Sequence, residues 1–376
     1  MDAQLLSKFR DAGLARELLD TVQVLAGRLA NAGRQLRLME VCGTHTMAIA
    51  KSGLASILPP NIQLISGPGC PVCVTANHDI DRAVALTRLK DGEKVTVVSF
   101  GDMLRVPGSS SSLARQRAEG AGVEVVYSPL DALKMAAEDP STHFVFVAVG
   151  FETTAPLTAA TIQRAASLEL TNFSVLAIHK RVPPALEVLA TDADVRLDGL
   201  LLPGHVGTIL GLAPFDFLAQ RFNIPAVVCG FEPVDILLAI TMLLLQLIDG
   251  HAKVESAYNR AVHVNGNPQA RAALDAVFTR CDATWRGLGQ IVDSGLQLRS
   301  NYRRFDTGER FSLETLTEPE LQTQGCCCGE VLRGVLTPDG CSLYGQVCTP
   351  DNPVGPCMVS SEGSCAAAFR YQTGVW

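Results

Sequence analysis

The chain has 376 residues, 47% of them hydrophobic, with a formal net charge of −7 and twelve cysteines. Its length exceeds what one core usually supports and predicts two or three domains. An acidic balance without a basic stretch argues against nucleic-acid binding, and no run of like charge marks a disordered tail.

Residues 1–22 carry scattered charges and no apolar core, which predicts that they are not a signal peptide. A reducing, cytoplasmic compartment is therefore expected, where twelve cysteines read as metal or redox chemistry rather than structural disulfides. From residue 36 to 250, eight short apolar, β-branched runs alternate with helical patterns: 36–41, 62–66, 95–100, 123–127, 144–149, 173–178, 199–202 and 226–229. Continuous runs of this kind fit strands covered on both faces, hence an α/β protein with mostly parallel sheet. Two Rossmann-like α/β domains are predicted, residues 1–118 and 119–250, with Gly-Ser-Ser-Ser-Ser at 108–112 as a loop or seam. A six-residue echo supports two related halves: Val147-Ala-Val-Gly-Phe-Glu152 resembles Val227-Val-Cys-Gly-Phe-Glu232. The most apolar stretch, residues 236–248, is bracketed by Asp235 and Asp249. It is short of the ~20 residues a bilayer span needs and reads as a core helix. Residues 251–376 form a third part. Residues 251–291 read as helices, and beyond Asp306 the chain is polar, Gly/Pro-punctuated and rich in cysteine.

Open parallel sheets place ligands in the loops after the carboxyl ends of their strands. Four such loops carry reactive groups: Cys42-Gly-Thr-His-Thr46, Gly67-Pro-Gly-Cys-Pro-Val-Cys73, Gly150-Phe-Glu-Thr-Thr154 and Pro203-Gly-His-Val-Gly207. Cys70 and Cys73 suit a small disulfide or one bound metal, and a helix start near Cys73 would favour its thiolate. Cys42 and His45 stand three apart. At the start of a helix they would share a side and hold a metal between sulfur and imidazole, or His45 would act as base to the thiol. A helix cap by Thr44 with a packed His45 is the plainer alternative. Glu152, Asp102 and His205 either orient a ligand and move protons or cap helices. The chain contains no Gly-x-x-x-x-Gly-Lys-Ser/Thr loop, and no Gly-x-Gly-x-x-Gly after the early strands, so tight nucleotide binding is not indicated.

Seven of the twelve cysteines lie near the C-terminus: Cys326, Cys327, Cys328, Cys341, Cys348, Cys357 and Cys365. Zinc sites usually draw on close Cys-x₂₋₄-Cys pairs. Here only the triple is close, and thiolates gathered from separated loops suit an iron–sulfur cube at least as well.

Taken together, Cys-Gly-Thr-His-Thr, Gly-Pro-Gly-Cys-Pro-Val-Cys, Gly-Phe-Glu-Thr-Thr, Pro-Gly-His-Val and Cys-Gly-Glu-Val-Leu-Arg-Gly followed by Met-Val-Ser-Ser-Glu-Gly-Ser-Cys closely resemble the HypD family of [NiFe]-hydrogenase maturation factors. The resemblance runs from about residue 36 to Tyr371. It implies α/β-rich domains around a central cleft, with a C-terminal iron–sulfur domain. It also implies a complex with the chaperone HypC, on which the Fe(CN)₂CO unit is assembled. HypE, charged through HypF, would deliver cyanide, and the hydrogenase large subunit would be served indirectly. By the same resemblance Cys42 would hold the iron with His45 beside it, and Cys70 and Cys73 would be a redox dithiol. The family spacing Cys-x₁₄-Cys-x₆-Cys-x₁₆-Cys would give Cys326, Cys341, Cys348 and Cys365 as ligands of a [4Fe-4S] cluster, with Cys328 able to replace Cys326 after a small loop change. Soft thiolates suit low-spin iron(II) carrying cyanide and CO. A scaffold of this kind need release no small-molecule product. The alternative reading is an iron–sulfur thiol–disulfide oxidoreductase acting on protein partners, and a third is a zinc-stabilised binding protein.

Overall fold

The computed structural model describes residues 9–89, 94–313 and 325–371. Residues 1–8, part of the stretch expected to carry no leader, lie outside them. The strands in chain order are β1 (Leu36–Glu40), β2 (Ile62–Ser66), β3 (Lys94–Ser99), β4 (Val123–Val125), β5 (Thr142–Ala148), β6 (Phe173–Ala177), β7 (Gly199–Pro203), β8 (Ala226–Cys229), β9 (Val254–Ser256), β10 (Phe278–Trp285) and β11 (Gly289–Leu298). The first eight fall on the eight apolar runs. With β9 they form two parallel, Rossmann-like sheets, ordered β2-β1-β7-β8-β9 and β4-β3-β5-β6.

Side-chain alternation explains how each sheet is covered. In β5, Phe144, Phe146 and Ala148 point into one cluster, with helices Pro129–Glu138 and Ala155–Ser167. Val145 and Val147 point into another, which also takes Met39, Leu200, Leu202 and Val228 of the first sheet. One core therefore runs through both sheets. The opposite face of the first sheet, with Leu36, Leu38 and Leu201, packs on helices Ala12–Asn31 and Pro233–Asp249. The second of these is the apolar 236–248 stretch; it is a core helix, ended by Gly250 in the left-handed conformation (φ 71°). No helix among the described residues is long and apolar enough to cross a membrane.

The sheets do not divide the chain at residue 118. β3, expected in the first unit, pairs with β4 and β5, whereas β7, expected in the second, pairs with β1 through Leu38↔Gly199. The chain leaves the first sheet after β2, builds the second and returns. The serine run at 108–112 is a loop between helices Gly101–Arg105 and Leu113–Ala118, held by Ser109 on Asp81 at 2.6 Å. The echo at residues 147–152 and 227–232 marks the ends of β5 and β8, one strand in each sheet.

A second correction concerns residues 251–291, of which Pro268–Val277 is helical. Beyond it β10 and β11 form an antiparallel hairpin. Its half-exposed face keeps polar residues on alternate positions, and its turn uses Gly287 and Gly289 at φ 80° and 75°. A side chain at Gly287 would meet the Gly329 backbone at 2.5 Å, so the hairpin tip seats directly on the C-terminal cysteine segment.

Candidate functional site

In the first sheet, β1 is the strand from which the order reverses, with β2 on one side and β7 on the other. Such a switch point opens a crevice at the carboxyl ends of the strands. Cys42 stands there, in extended conformation (φ −152°, ψ 122°), at the N-cap of helix Gly43–Ser52. Its amide donates to Glu40 Oε2 at 3.1 Å, and the Thr46 hydroxyl donates to the other carboxylate oxygen. Glu40 is buried, and burial pushes its carboxyl up to about 8.

The loop after β2 lies on the Cys42 backbone. The Gly43 amide donates to the Gly69 carbonyl at 2.9 Å. A Cβ on Gly69 would sit 2.1 Å from the Cys42 nitrogen. This contact carries the Cys70–Cys73 turn to the crevice. The two sulfurs are joined as a disulfide, with Cα atoms 5.2 Å apart. The Cys73 amide donates to Cys70 Sγ at 3.2 Å. Cys73 is not at a helix start. It sits in a turn ahead of helix Asn77–Leu86, so the expected dipole effect on its thiol does not operate.

A third segment completes the crevice from the far end of the chain. Thr44 Oγ1 donates to Glu362 Oε1 at 2.8 Å, and the Glu362 side chain lies against Gly43. Ser360 Oγ donates to Asp102 Oδ2 at 3.3 Å, and Arg105 donates to the Val359 carbonyl at 3.2 Å. Cys73 Sγ contacts the Pro356 carbonyl at 3.9 Å. Residues 356–362 thus tie the end of β1, the disulfide turn and the loop after β3 together. Glu362 was not singled out in the sequence, although it stands within Met-Val-Ser-Ser-Glu-Gly-Ser-Cys. An acid inside a run of small residues between two cysteines is the signal that marks it.

Cys42 is almost fully buried, and two influences compete over its thiol. Burial pushes it up to about 12, and the Glu362 carboxylate adds to this; the His45 and Thr44 amides at the helix start favour the thiolate. Burial wins, and the thiol stays protonated. His45 is wholly buried. Its Nε2 lies 2.9 Å from the Gly230 carbonyl and 3.3 Å from that of Cys229, which makes Nε2 the protonated nitrogen. Nδ1 has no partner among the described residues. Burial holds the imidazole down to about 4, so it stays neutral. Of the plainer alternative, His45 is the packed ring, whereas Thr44 is no cap, because its hydroxyl reaches Glu362 and Cys42 holds the N-cap position. His205 stacks on Phe231 with ring centroids 4.0 Å apart, and His45 touches the same ring at 4.9 Å. Both histidines thus border the crevice through one phenyl ring.

Glu152 takes the plainer of its two expected roles. Its carboxylate accepts the Val182 amide at 3.1 and 3.3 Å, at the first residue of helix Val182–Thr191. Burial raises its carboxyl to about 7, above the ordinary 4.5. Between those values the folded chain binds the proton that the unfolded chain has lost, so this group withdraws stability as pH rises through about 4.5 to 7. The withdrawal is of the order of 3 kcal/mol. Glu152→Gln keeps an acceptor for Val182 and removes the titration. Melting temperature should then fall less steeply across that range than in the parent; parallel profiles would contradict the assignment.

The C-terminal cysteines gather in one largely apolar pocket lined by Cys326, Cys327, Cys328, Cys341, Cys348, Cys357 and Cys365. Hydrogen bonds join Cys328 to Cys326 and to Cys357, Cys357 to Cys365, and Cys327 to Cys341. Bonds from Cys326 and Cys357 favour ionisation of Cys328, and its two neighbours are pushed up in turn. Gly355 forms a cradle, since a Cβ there would lie 2.6 Å from Cys326 Sγ. Among the described residues no three His, Cys, Asp or Glu side chains converge as for a single ion. Sulfurs around an apolar pocket with a glycine wall fit the donor set of an iron–sulfur cluster.

The sequence that builds this site is similar to those of known proteins. The HypD family profile, described as "Hydrogenase formation hypA family", matches residues 14–372. The hydrogenase expression/formation protein HupD of Azotobacter chroococcum is 44% identical over 373 residues, covering 97% of this chain and 96% of the relative. The hydrogenase maturation factor HypD of Rhodobacter capsulatus is 42% identical, covering 97% of both chains. That of Escherichia coli K12 is 42% identical, covering 98% of both. The chain belongs to the HypD family of hydrogenase maturation factors.

Proposed function

We propose that this chain works with HypC as the scaffold on which the Fe(CN)₂CO unit of the [NiFe]-hydrogenase site is assembled. HypE, charged by HypF, supplies the cyanide, and the hydrogenase large subunit is the eventual recipient. Iron is the cargo, and Cys42 Sγ is its protein ligand, with a thiolate of HypC opposite. The observation that carries this is the position of Cys42 at the switch point of the first sheet, with the disulfide turn and residues 356–362 seated on it. A thiol held near 12 gives up its proton to solvent as the metal takes the sulfur, so loading releases a proton. The neutral His45 fixes the carbonyls after β8 through Nε2 and turns Nδ1 away from them. Glu362 holds Thr44, and with it the first turn of the helix behind Cys42.

Cys326, Cys341, Cys348 and Cys365 are the proposed holders of a [4Fe-4S] cluster, with Cys328 in reserve beside Cys326. When bound, the cluster supplies single electrons. Cys357 follows Pro356, whose carbonyl touches Cys73, so the cysteine pocket and the disulfide are one peptide unit apart. The disulfide itself favours a second reading, a thiol–disulfide oxidoreductase acting on protein partners.

Infrared spectroscopy on the protein purified anaerobically with HypC, the other maturation factors being present, separates the two. Cyanide and carbonyl stretching bands, with about four irons and four sulfides beyond the carried iron, are expected of the scaffold. Cluster iron without those bands favours the oxidoreductase.

A further inference from the structure

A second site lies away from the Cys42 crevice. A polar cavity of about 670 Å³ opens beyond the carboxyl end of β6, between helix Asn77–Leu86 and the β10–β11 hairpin. The hairpin closes on the strand end, where Lys180 bridges to Gly295 and the Arg181 amide donates to the Ser294 carbonyl at 2.7 Å.

The acids around this cavity already have partners. Asp79 takes Lys180 Nζ at 2.9 Å, and Asp282 accepts the Asp293 amide at 3.1 Å. Asp306 accepts the Gly308 and Glu309 amides, and Glu309 pairs with Arg303. The donors do not. His179 is 1% exposed, and neither ring nitrogen has a hydrogen-bond partner among the described residues. Arg82 Nε is buried and equally unpartnered, and its guanidinium has no ion-pair partner among them. An unpaired buried polar group destabilises the fold, and a ligand with the matching acceptor removes that cost.

We propose that this cavity binds a small organic oxyanion of low charge, a carboxylate or a phosphate monoester, through Arg82 and His179. A guanidinium presents parallel N–H groups to two oxygens of either head group. His179, kept neutral because burial holds it down to about 3, has one N–H to give. The volume suits a small metabolite rather than a bare ion, since ligand pockets run to roughly 300–1,000 Å³. Asp282, Asp306 and Glu309 around the cavity repel a polyphosphate, and no glycine-rich turn among the described residues lines it to cradle one. The site also adjoins the disulfide turn. His78 and Arg82 ride on the helix that follows Cys73, and Arg286 of the hairpin binds the Val74 and Thr75 carbonyls.

Calorimetric titration of the anaerobic full-length protein with succinate, glycerol 3-phosphate and inorganic phosphate tests the assignment. Saturable binding of succinate or glycerol 3-phosphate is expected, weakened at least about tenfold in Arg82→Gln and His179→Gln. Which of the two probes binds decides between carboxylate and phosphate monoester. No saturation by any probe up to ~10 mM, binding of inorganic phosphate alone, or unchanged affinity in Arg82→Gln overturns it. Arg82 is only half-buried, so its variant keeps the fold and decides the matter even where His179→Gln does not fold.

Discussion

If the chain is the proposed scaffold, Cys42→Ala, purified anaerobically with HypC, should lose the carried iron and its cyanide and carbonyl bands entirely while keeping the iron and sulfide of the proposed cluster. No other sulfur at the crevice can replace it. Cys70 and Cys73 are bonded to each other. Cys229, the last residue of β8, is fully buried, its thiol directed to the Gly230 and Asp235 carbonyls. The cluster should be indifferent, because Cys42 does not line the pocket of the seven C-terminal cysteines. The fold should also tolerate the change. One buried sulfur is lost, a cost near that of a methylene, about 1 kcal/mol, and the backbone bonds from Cys42 to Glu40 and from Gly43 to Gly69 remain. Infrared bands that persist in the variant sink the role given to Cys42. Loss of cluster iron together with the bands points instead to a collapse of the whole C-terminal segment.

Much of this architecture was legible in the sequence because fully covered strands are locally obvious. Residues 62–66 and 226–229 are read to the residue, since a proline stands just before each run and a glycine directly after it. β9 was missed because Val-Glu-Ser offers no apolar run and the strand lies at a sheet edge. The β10–β11 hairpin was mistaken for helix because its polar face interrupts the apolar pattern. Strand order was illegible for a different reason: nothing in the residues of β7 says that its neighbour is β1, over 150 residues earlier. The same distance hid half of the site. Cys42, Cys70 and Cys73 declare themselves in short motifs, but Glu362 meets Thr44 across 318 residues. Glu40 lies unremarked inside the run 36–41, and only the Cys42 amide and Thr46 hydroxyl above it explain why it can be buried.

Gly69→Ala should be the most damaging small substitution near the crevice, and its effect separates packing from chemistry. The added methyl would lie 2.1 Å from the Cys42 nitrogen, 2.3 Å from the Val41 carbonyl carbon and 2.4 Å from the Cys42 Cα, all backbone atoms. A flexible side chain could swing aside, but these atoms cannot, so the two loops must part and the Gly43-to-Gly69 bond must break. Overpacking of this kind usually costs 1–3 kcal/mol, and a contact wholly with backbone belongs at about 3 or above. Gly67→Ala is the contrast. Its methyl meets Met39 Sδ and Val41 Cγ1 at 2.7 and 2.8 Å, side-chain atoms that can give way, so a loss nearer 1 kcal/mol is expected. Gly101→Ala, with its nearest neighbour 3.8 Å away, should be neutral. Denaturant unfolding ranks the three, and an unfolding midpoint for Gly69→Ala equal to that of Gly101→Ala would refute the close approach. Where Gly69→Ala folds, iron loading should drop although every cysteine is intact, because the disulfide turn no longer rests on the Cys42 backbone.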